Sequence, residues 1–232
     1  MLRTVVVVAA LLCMAQAHAQ VAASATLASD YQFRGVSLSD GQPSAQLSID
    51  YDQPASGWYE GGMMSTVRAD ARDAVQLLGY AGYARRLGAD WSWDAGVRYS
   101  RFTGAESYAY TEAYAGLSYR QLTGRIYYAP DYFGFGAAAL YAELDTSHAL
   151  TQHWYLFGHV GCLRHGGDVA SDHTSRFRTD MRGGLGLALA PWDIQLSWTA
   201  VRGARGYDLV YDYPAGADVR RSAWLLGVSY AW

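Results

Sequence analysis

The chain has 232 residues, enough for one domain, and its 18 basic and 21 acidic side chains leave a formal net charge of −3. Every basic side chain is arginine and no basic run occurs, which argues against a nucleic-acid-binding protein. Although 51% of the residues are hydrophobic, no apolar run beyond the N-terminal segment approaches the ~18 residues of a transmembrane helix.

The N-terminal segment has the order of a secretory signal: a positive start at Met1-Leu2-Arg3, an apolar stretch Thr4–Met14, and small-x-small sites at Ala15-Gln16-Ala17 and Ala17-His18-Ala19. Cleavage is expected after Ala19, leaving residues 20–232 as the mature domain. Leu12 stands where lipidation of Cys13 would need a small residue, so a lipoprotein is not expected. Cleavage would leave Cys162 as the one cysteine, without an intrachain disulfide and reading as a small apolar strand residue.

Beyond that segment the pattern changes to period two. In 91–100, Trp91, Trp93, Ala95, Val97 and Tyr99 share one face, while Ser92, Asp94, Gly96, Arg98 and Ser100 share the other; a helix would scramble these sets. In chain order, about twelve such strands are expected at 25–35, 42–52, 58–67, 74–86, 91–101, 109–120, 124–131, 135–147, 153–163, 176–189, 192–202 and 220–232. Most approach the ~9–11 residues of a tilted membrane strand. The 19 Tyr and 8 Trp suit membrane–water interfaces, where the ring is buried and its polar tip stays wet. The expected fold is therefore all-β: a single antiparallel transmembrane β-barrel, apolar face to lipid and polar face to the lumen. A soluble lipocalin-like barrel is the alternative, and it would need the aromatic face inside.

An even strand count puts both termini on one side, expected to be the periplasm. Short turns are expected there at 53–57, 87–90, 121–123, 148–152 and 190–191, and outer loops at 36–41, 68–73, 102–108, 132–134, 164–175 and 203–219. The 132–134 loop is too short for an outer loop. The final strand ends on the aromatic Trp232, suited to recognition by a barrel-assembly machinery in the outer membrane of a Gram-negative bacterium.

The stretch Ser29-Asp30-Tyr31-Gln32-Phe33-Arg34-Gly35-Val36-Ser37, followed by Asp40-Gly41-Gln42-Pro43, resembles the Gcw_chp family of proteobacterial exported proteins, whose function is unassigned. Tyr110–Tyr119 and Ala129-Pro130-Asp131-Tyr132-Phe133-Gly134 share the likeness, which covers nearly the whole mature chain. The resemblance implies an outer-membrane barrel and brings no catalytic residue.

Charge on the polar face marks the candidate site. Asp30, Gln32 and Arg34 are expected on one face of the first strand, with Asp30 and Arg34 ~14 Å apart and needing partners elsewhere. Symmetric hairpins place Arg98 opposite Glu112 and His159 opposite Asp180, with Arg125 opposite Tyr141 and diagonal to Glu143. Arg176, Arg178 and Arg182 add a positive patch near the outer mouth. No Gly-x-Ser-x-Gly elbow accompanies the histidines, so no enzyme is expected. The loop with His165, Asp168, Asp172 and His173 matches no established metal site, and Asp212, Asp218, Arg220 and Arg221 read as solvated loop residues; neither metal nor cofactor is expected.

The expected function is a narrow, porin-like channel for small polar solutes. Asp30, Arg34, Arg98, Glu112, Arg125, Glu143 and Asp180 would line the lumen and set selectivity. The alternative is a non-conducting barrel that presents its outer loops for adhesion or partner binding. Its surroundings would be outer-membrane lipid, with no nucleic-acid partner.

Overall fold

The computed structural model describes residues 20–70, 72–166, 177–203 and 222–232. The expected signal segment, Arg176, Asp168, Asp172, His173, Asp212, Asp218, Arg220 and Arg221 lie outside the described residues, as does most of the two longest loops.

Twelve antiparallel strands close into one barrel. They are β1 (Gln20–Ala28), β4 (Ser44–Gln53), β5 (Trp58–Ala69), β6 (Arg72–Arg86), β7 (Trp91–Phe102), β8 (Tyr110–Tyr119), β9 (Leu122–Ala129), β10 (Ala139–Ala149), β11 (Trp154–His165), β12 (Phe177–Leu189), β13 (Trp192–Arg202) and β14 (Ser222–Ala231). A short ribbon of β2 (Gln32–Phe33) and β3 (Val36–Ser37) stands apart from the main sheet. Each barrel strand pairs with its sequence neighbour in the sheet, and β1 closes on β14 with Ser24 opposite Ala231.

The alternation sorts as a transmembrane barrel requires. Leu27, Leu47, Ile49, Val97, Ile126, Leu156, Val160 and Leu196 are exposed on the outer wall, whereas Ser44, Ser65, Gln76, Ser100 and Ser197 are buried inside. That polarity rules out the lipocalin-like alternative. Exterior aromatics stand toward both ends: at the end that carries the chain termini Trp58 stacks edge-on to Tyr83 at 5.4 Å, Trp91 lies 4.6 Å from Tyr119 and Trp192 lies 4.9 Å from Tyr230, and toward the loop end Tyr99, Tyr128, Phe177, Trp198 and Trp224 are exposed. These are the girdles that amphipathic rings form where lipid meets water. Cys162 points to the same outer wall between Ala142 and Thr179. On the inner wall, tyrosines lie across glycines of the neighbouring strand. A Cβ on Gly82 would fall 2.5 Å from Tyr59 Cζ, and one on Gly61 would fall 2.5 Å from Tyr80 Cζ.

Two expected boundaries are corrected. The first strand ends at Ala28, not 35, so Asp30, Gln32 and Arg34 leave the wall and enter a segment, 29–43, that folds into the barrel. Its polar residues satisfy one another there, which an extended strand would not allow. The connection placed at 132–134 spans 130–138 and is long enough for an outer loop. Residues 130–131 and 135–138 read as strand in sequence but lie in the connection, where Tyr132 and Phe133 are buried in a short 3-10 turn. The shift also changes register: Arg125 faces Glu143 directly, and Tyr141 faces Tyr127. His159 faces Arg182 rather than Asp180, because β11 and β12 pair two residues further along than a symmetric loop implies.

Candidate functional site

The loop end of the barrel, opposite the termini, is filled from within. Segment 29–43 is held by Asp30, which accepts hydrogen bonds from Ser37 Oγ at 2.5 Å, Ser39 Oγ at 2.8 Å and Gln32 Nε2 at 2.5 Å. At the tip, Arg34 (φ 50°) and Gly35 (φ 79°) join β2 to β3 as a two-residue turn with both residues left-handed, the form that matches strand twist. The main chain docks on the wall where Arg68 N donates to Leu38 O at 2.7 Å. Val36 and Leu38 then pack with Phe102, Tyr110, Tyr132 and Phe133 in an apolar plug. Burial of these side chains drives the inward fold, since each fully buried large apolar group is worth ~1.5–3 kcal/mol.

Arg34 reaches through this plug to Glu112. Its Nη1 lies 2.9 Å from Glu112 Oε1 and its Nη2 donates to Oε2 at 3.2 Å. Arg98 grips the same carboxylate from the neighbouring strand, Nε donating to Oε2 at 2.5 Å. The side chains of Arg34 and Glu112 are 3% and 1% exposed, so this bridge is dry on one side. The Arg34 guanidinium also stands 4.2 Å from the Tyr141 ring centre and 4.9 Å from that of Phe33, and Arg98 stands 4.5 Å from that of Tyr127.

Toward the termini the lumen is polar and hollow. One cavity of about 450 Å³ is bordered by Arg34, Arg98, Glu143, His159, Asp180 and Arg182. A second, of about 420 Å³, is bordered by Asp50, Asp52, Tyr59, Tyr80, Arg98 and Arg125. Arg98 borders both. Arg125 pairs with Asp94 at 3.1 Å, and Asp94 also accepts from Tyr59. Tyr127 donates to Glu143 at 2.8 Å, and Tyr80 donates to Asp50. His159 lies between two carboxylates, 2.7 Å from Asp145 and 2.9 Å from Asp180. Buried or half-buried charges on this wall are thus tied to partners, as low polarity demands.

The sequence-derived residues therefore divide. Arg34, Glu112 and Arg98 meet in one cluster, and Arg98 stands opposite Glu112 in register. Arg125, Glu143 and Asp180 all line the lumen, but Arg125 bonds to Asp94 rather than to Glu143. Asp30 lines nothing: it is the internal clasp of segment 29–43. Arg178 is buried on the inner face of β12, and Arg182 bonds to Ser197 and Gln195. Asp50 and Asp145 were missed, and Asp94 was placed on the polar face without being counted as a site residue, although each stands at an inward position of its strand's alternation.

A Gcw_chp family model, described as a bacterial protein of unknown function, matches residues 13–228. No curated protein matches the chain. Among solved structures, the KdgM porin superposes with a TM-score of 0.58 at 12% identity, covering 91% of this chain and 99% of its own. The NanC porin gives 0.57 at 11% identity with the same coverages. The KdgM porin in complex with disordered oligogalacturonate gives 0.54 at 10% identity, covering 92% of this chain and 99% of that one. At these identities the likeness is one of fold.

Proposed function

We propose, starting from a chain that belongs to the Gcw_chp family of bacterial proteins of unknown function, that this barrel is a narrow outer-membrane channel for small polar solutes. The observation that carries the reading is segment 29–43, folded into the lumen above a polar cavity of about 450 Å³. A fully packed barrel would need no such hollow. An unobstructed pore would have no Arg34–Glu112–Arg98 bridge across its mouth. The girdle of aromatics around the termini supports a membrane setting, with the termini and short turns in the periplasm. Export through residues 1–19, insertion by a barrel-assembly machinery that recognises the strand ending at Trp232, and a passive, non-enzymatic role belong to the same proposal.

Charge in the lumen points to the class of solute. Arg34 and Arg98 share Glu112 and Arg125 pairs with Asp94, while Arg178 and Arg182 add two further cations on the inner wall, and inward carboxylates still outnumber the arginines among the described residues. Asp50, Asp52, Glu143 and Asp193 face the lumen without an arginine ion pair among the described residues. A lumen with surplus carboxylates concentrates cations. The barrel, refolded in detergent and placed in a planar bilayer, is expected to give small discrete steps with a cation-selective reversal potential. A carboxylate at a water-filled constriction contributes ~1 kcal/mol to a cation at ~4 Å, so Asp50→Asn and Asp52→Asn should each lower the cation-to-anion permeability ratio about fivefold. A folded barrel that carries no current, even after the plug is loosened, would overturn the channel. The buried aromatic plug supports the second reading, a closed barrel serving its outer loops, and that outcome would establish it.

A further inference from the structure

Three potential metal ligands meet on the lumen wall, away from the plug bridge. Glu143 and Asp145 stand two residues apart on β10, facing inward, and His159 stands opposite Asp145 on β11. One ligand atom from each lies within 4.8 Å of the other two. Asp180, on β12, adds a carboxylate 2.9 Å from His159 Nε2. All four border the 450 Å³ cavity, which supplies a route of access and room for water to complete a coordination sphere.

Arg34, Arg98 and Arg182 border the same cavity, but the immediate contacts of the cluster favour a cation. Three carboxylates share one imidazole, and among the described residues no arginine lies within ion-pair distance of Glu143, Asp145 or Asp180. Arg182, the neighbour of His159 on β12, spends its hydrogen bonds on Ser197 and Gln195. The carboxylates are also oriented from behind. Tyr127 donates to Glu143 at 2.8 Å and Tyr141 donates to Asp180 at 3.1 Å, as outer-shell donors do around metal sites.

We propose that Glu143, Asp145 and His159, with Asp180 alongside, form a binding site for a first-row divalent cation such as zinc. One imidazole nitrogen with carboxylate oxygens is a zinc-type donor set, whereas magnesium and calcium prefer oxygen alone. An ion bound at His159 Nδ1 releases the proton between Nδ1 and Asp145 to the water of the cavity, while Nε2–H keeps its bond to Asp180 and orients the ring, and the open side toward the cavity makes the site exchangeable. The site stands on the wall geometry, whether or not the barrel conducts.

The test is calorimetric titration of the refolded chain, carrying no polyhistidine tag, with zinc and separately with magnesium. Zinc is expected to bind one site per barrel, more tightly than magnesium. His159→Asn and Asp145→Asn should each weaken zinc by about tenfold or more. His148→Asn, outside the cluster, should leave it unchanged. Circular dichroism keeps the comparison to variants that fold, and His159→Gln replaces the Asn variant if that one does not. Zinc affinity unaltered by both His159 variants, magnesium bound as tightly as zinc, or no zinc binding at all would each overturn the site. Since heat of binding is the readout, failure here is distinguishable from absence of current.

Discussion

Glu112→Ala is expected to cost about 3–5 kcal/mol of barrel stability and to release segment 29–43 from the lumen. Glu112 is the shared partner of two guanidiniums, and its side chain is 1% exposed. Arg98 borders both cavities and can turn toward water when the carboxylate is gone. Arg34 has less room: it borders one cavity, but its side chain is 3% exposed against 15% for Arg98 and is wrapped by Phe33, Tyr127, Tyr132 and Tyr141. An unpaired charge there is relieved most cheaply by withdrawing the turn that carries it. Denaturant titration of the refolded barrel should therefore show a lowered midpoint, and single-channel recordings should show larger steps. Glu112→Gln keeps the shape and loses the charge, and should fall between wild type and Glu112→Ala. The pair Arg34→Met with Glu112→Leu removes both charges and should recover most of the stability, since a buried ion pair adds little over apolar groups of similar size. Stability of Glu112→Gln within about 0.5 kcal/mol of wild type would mean that the bridge does not hold the plug.

Gly35→Val should open the lumen by a different route, through shape alone. Gly35 has φ 79°, and a Cβ there would lie 2.5 Å from Asp180 Cβ and 3.2 Å from Val201 Cβ. Those atoms are fixed to the backbones of β12 and β13, so they cannot swing aside. The left-handed backbone costs a β-branched residue ~1–2 kcal/mol, and overpacking adds ~1–3 kcal/mol. Because Gly35 makes no bond in the main sheet, the strand content seen by circular dichroism should stay at the wild-type level while conductance rises. Gly136→Val separates the two causes. Gly136 also has a left-handed φ, 73°, but nothing lies within 4 Å of its missing Cβ. Equal conductance in the two variants would show that contact with the wall is not what seats the turn.

The barrel itself was legible in the residues because its rule is local. Each strand must alternate, and a one-residue slip would carry charge into lipid at ~2–4 kcal/mol for an arginine at the midplane. Strands such as 91–101 and 192–202 were therefore readable within a residue of their ends. The Arg98–Glu112 pair followed because both strands flank a loop whose symmetry held. Segment 29–43 broke the reading because Gln32, Phe33, Val36 and Ser37 do form strand pairs, but with each other. Alternation cannot tell a strand in the wall from a ribbon inside it.

From its own residues, then, the chain determined a transmembrane barrel of about twelve strands with charge on the inner wall. Tertiary structure alone decided that the first connection turns inward, that Arg34 crosses the lumen to Glu112, and that His159, expected beside Asp180, also bonds to Asp145. The physical reason is the range of the forces. Alternation and lipid exposure act along a strand and leave a mark at every second residue. The plug and the lumen clusters arise from closure of the sheet, which brings residues 34 and 112 together across a curvature that no spacing in the sequence records.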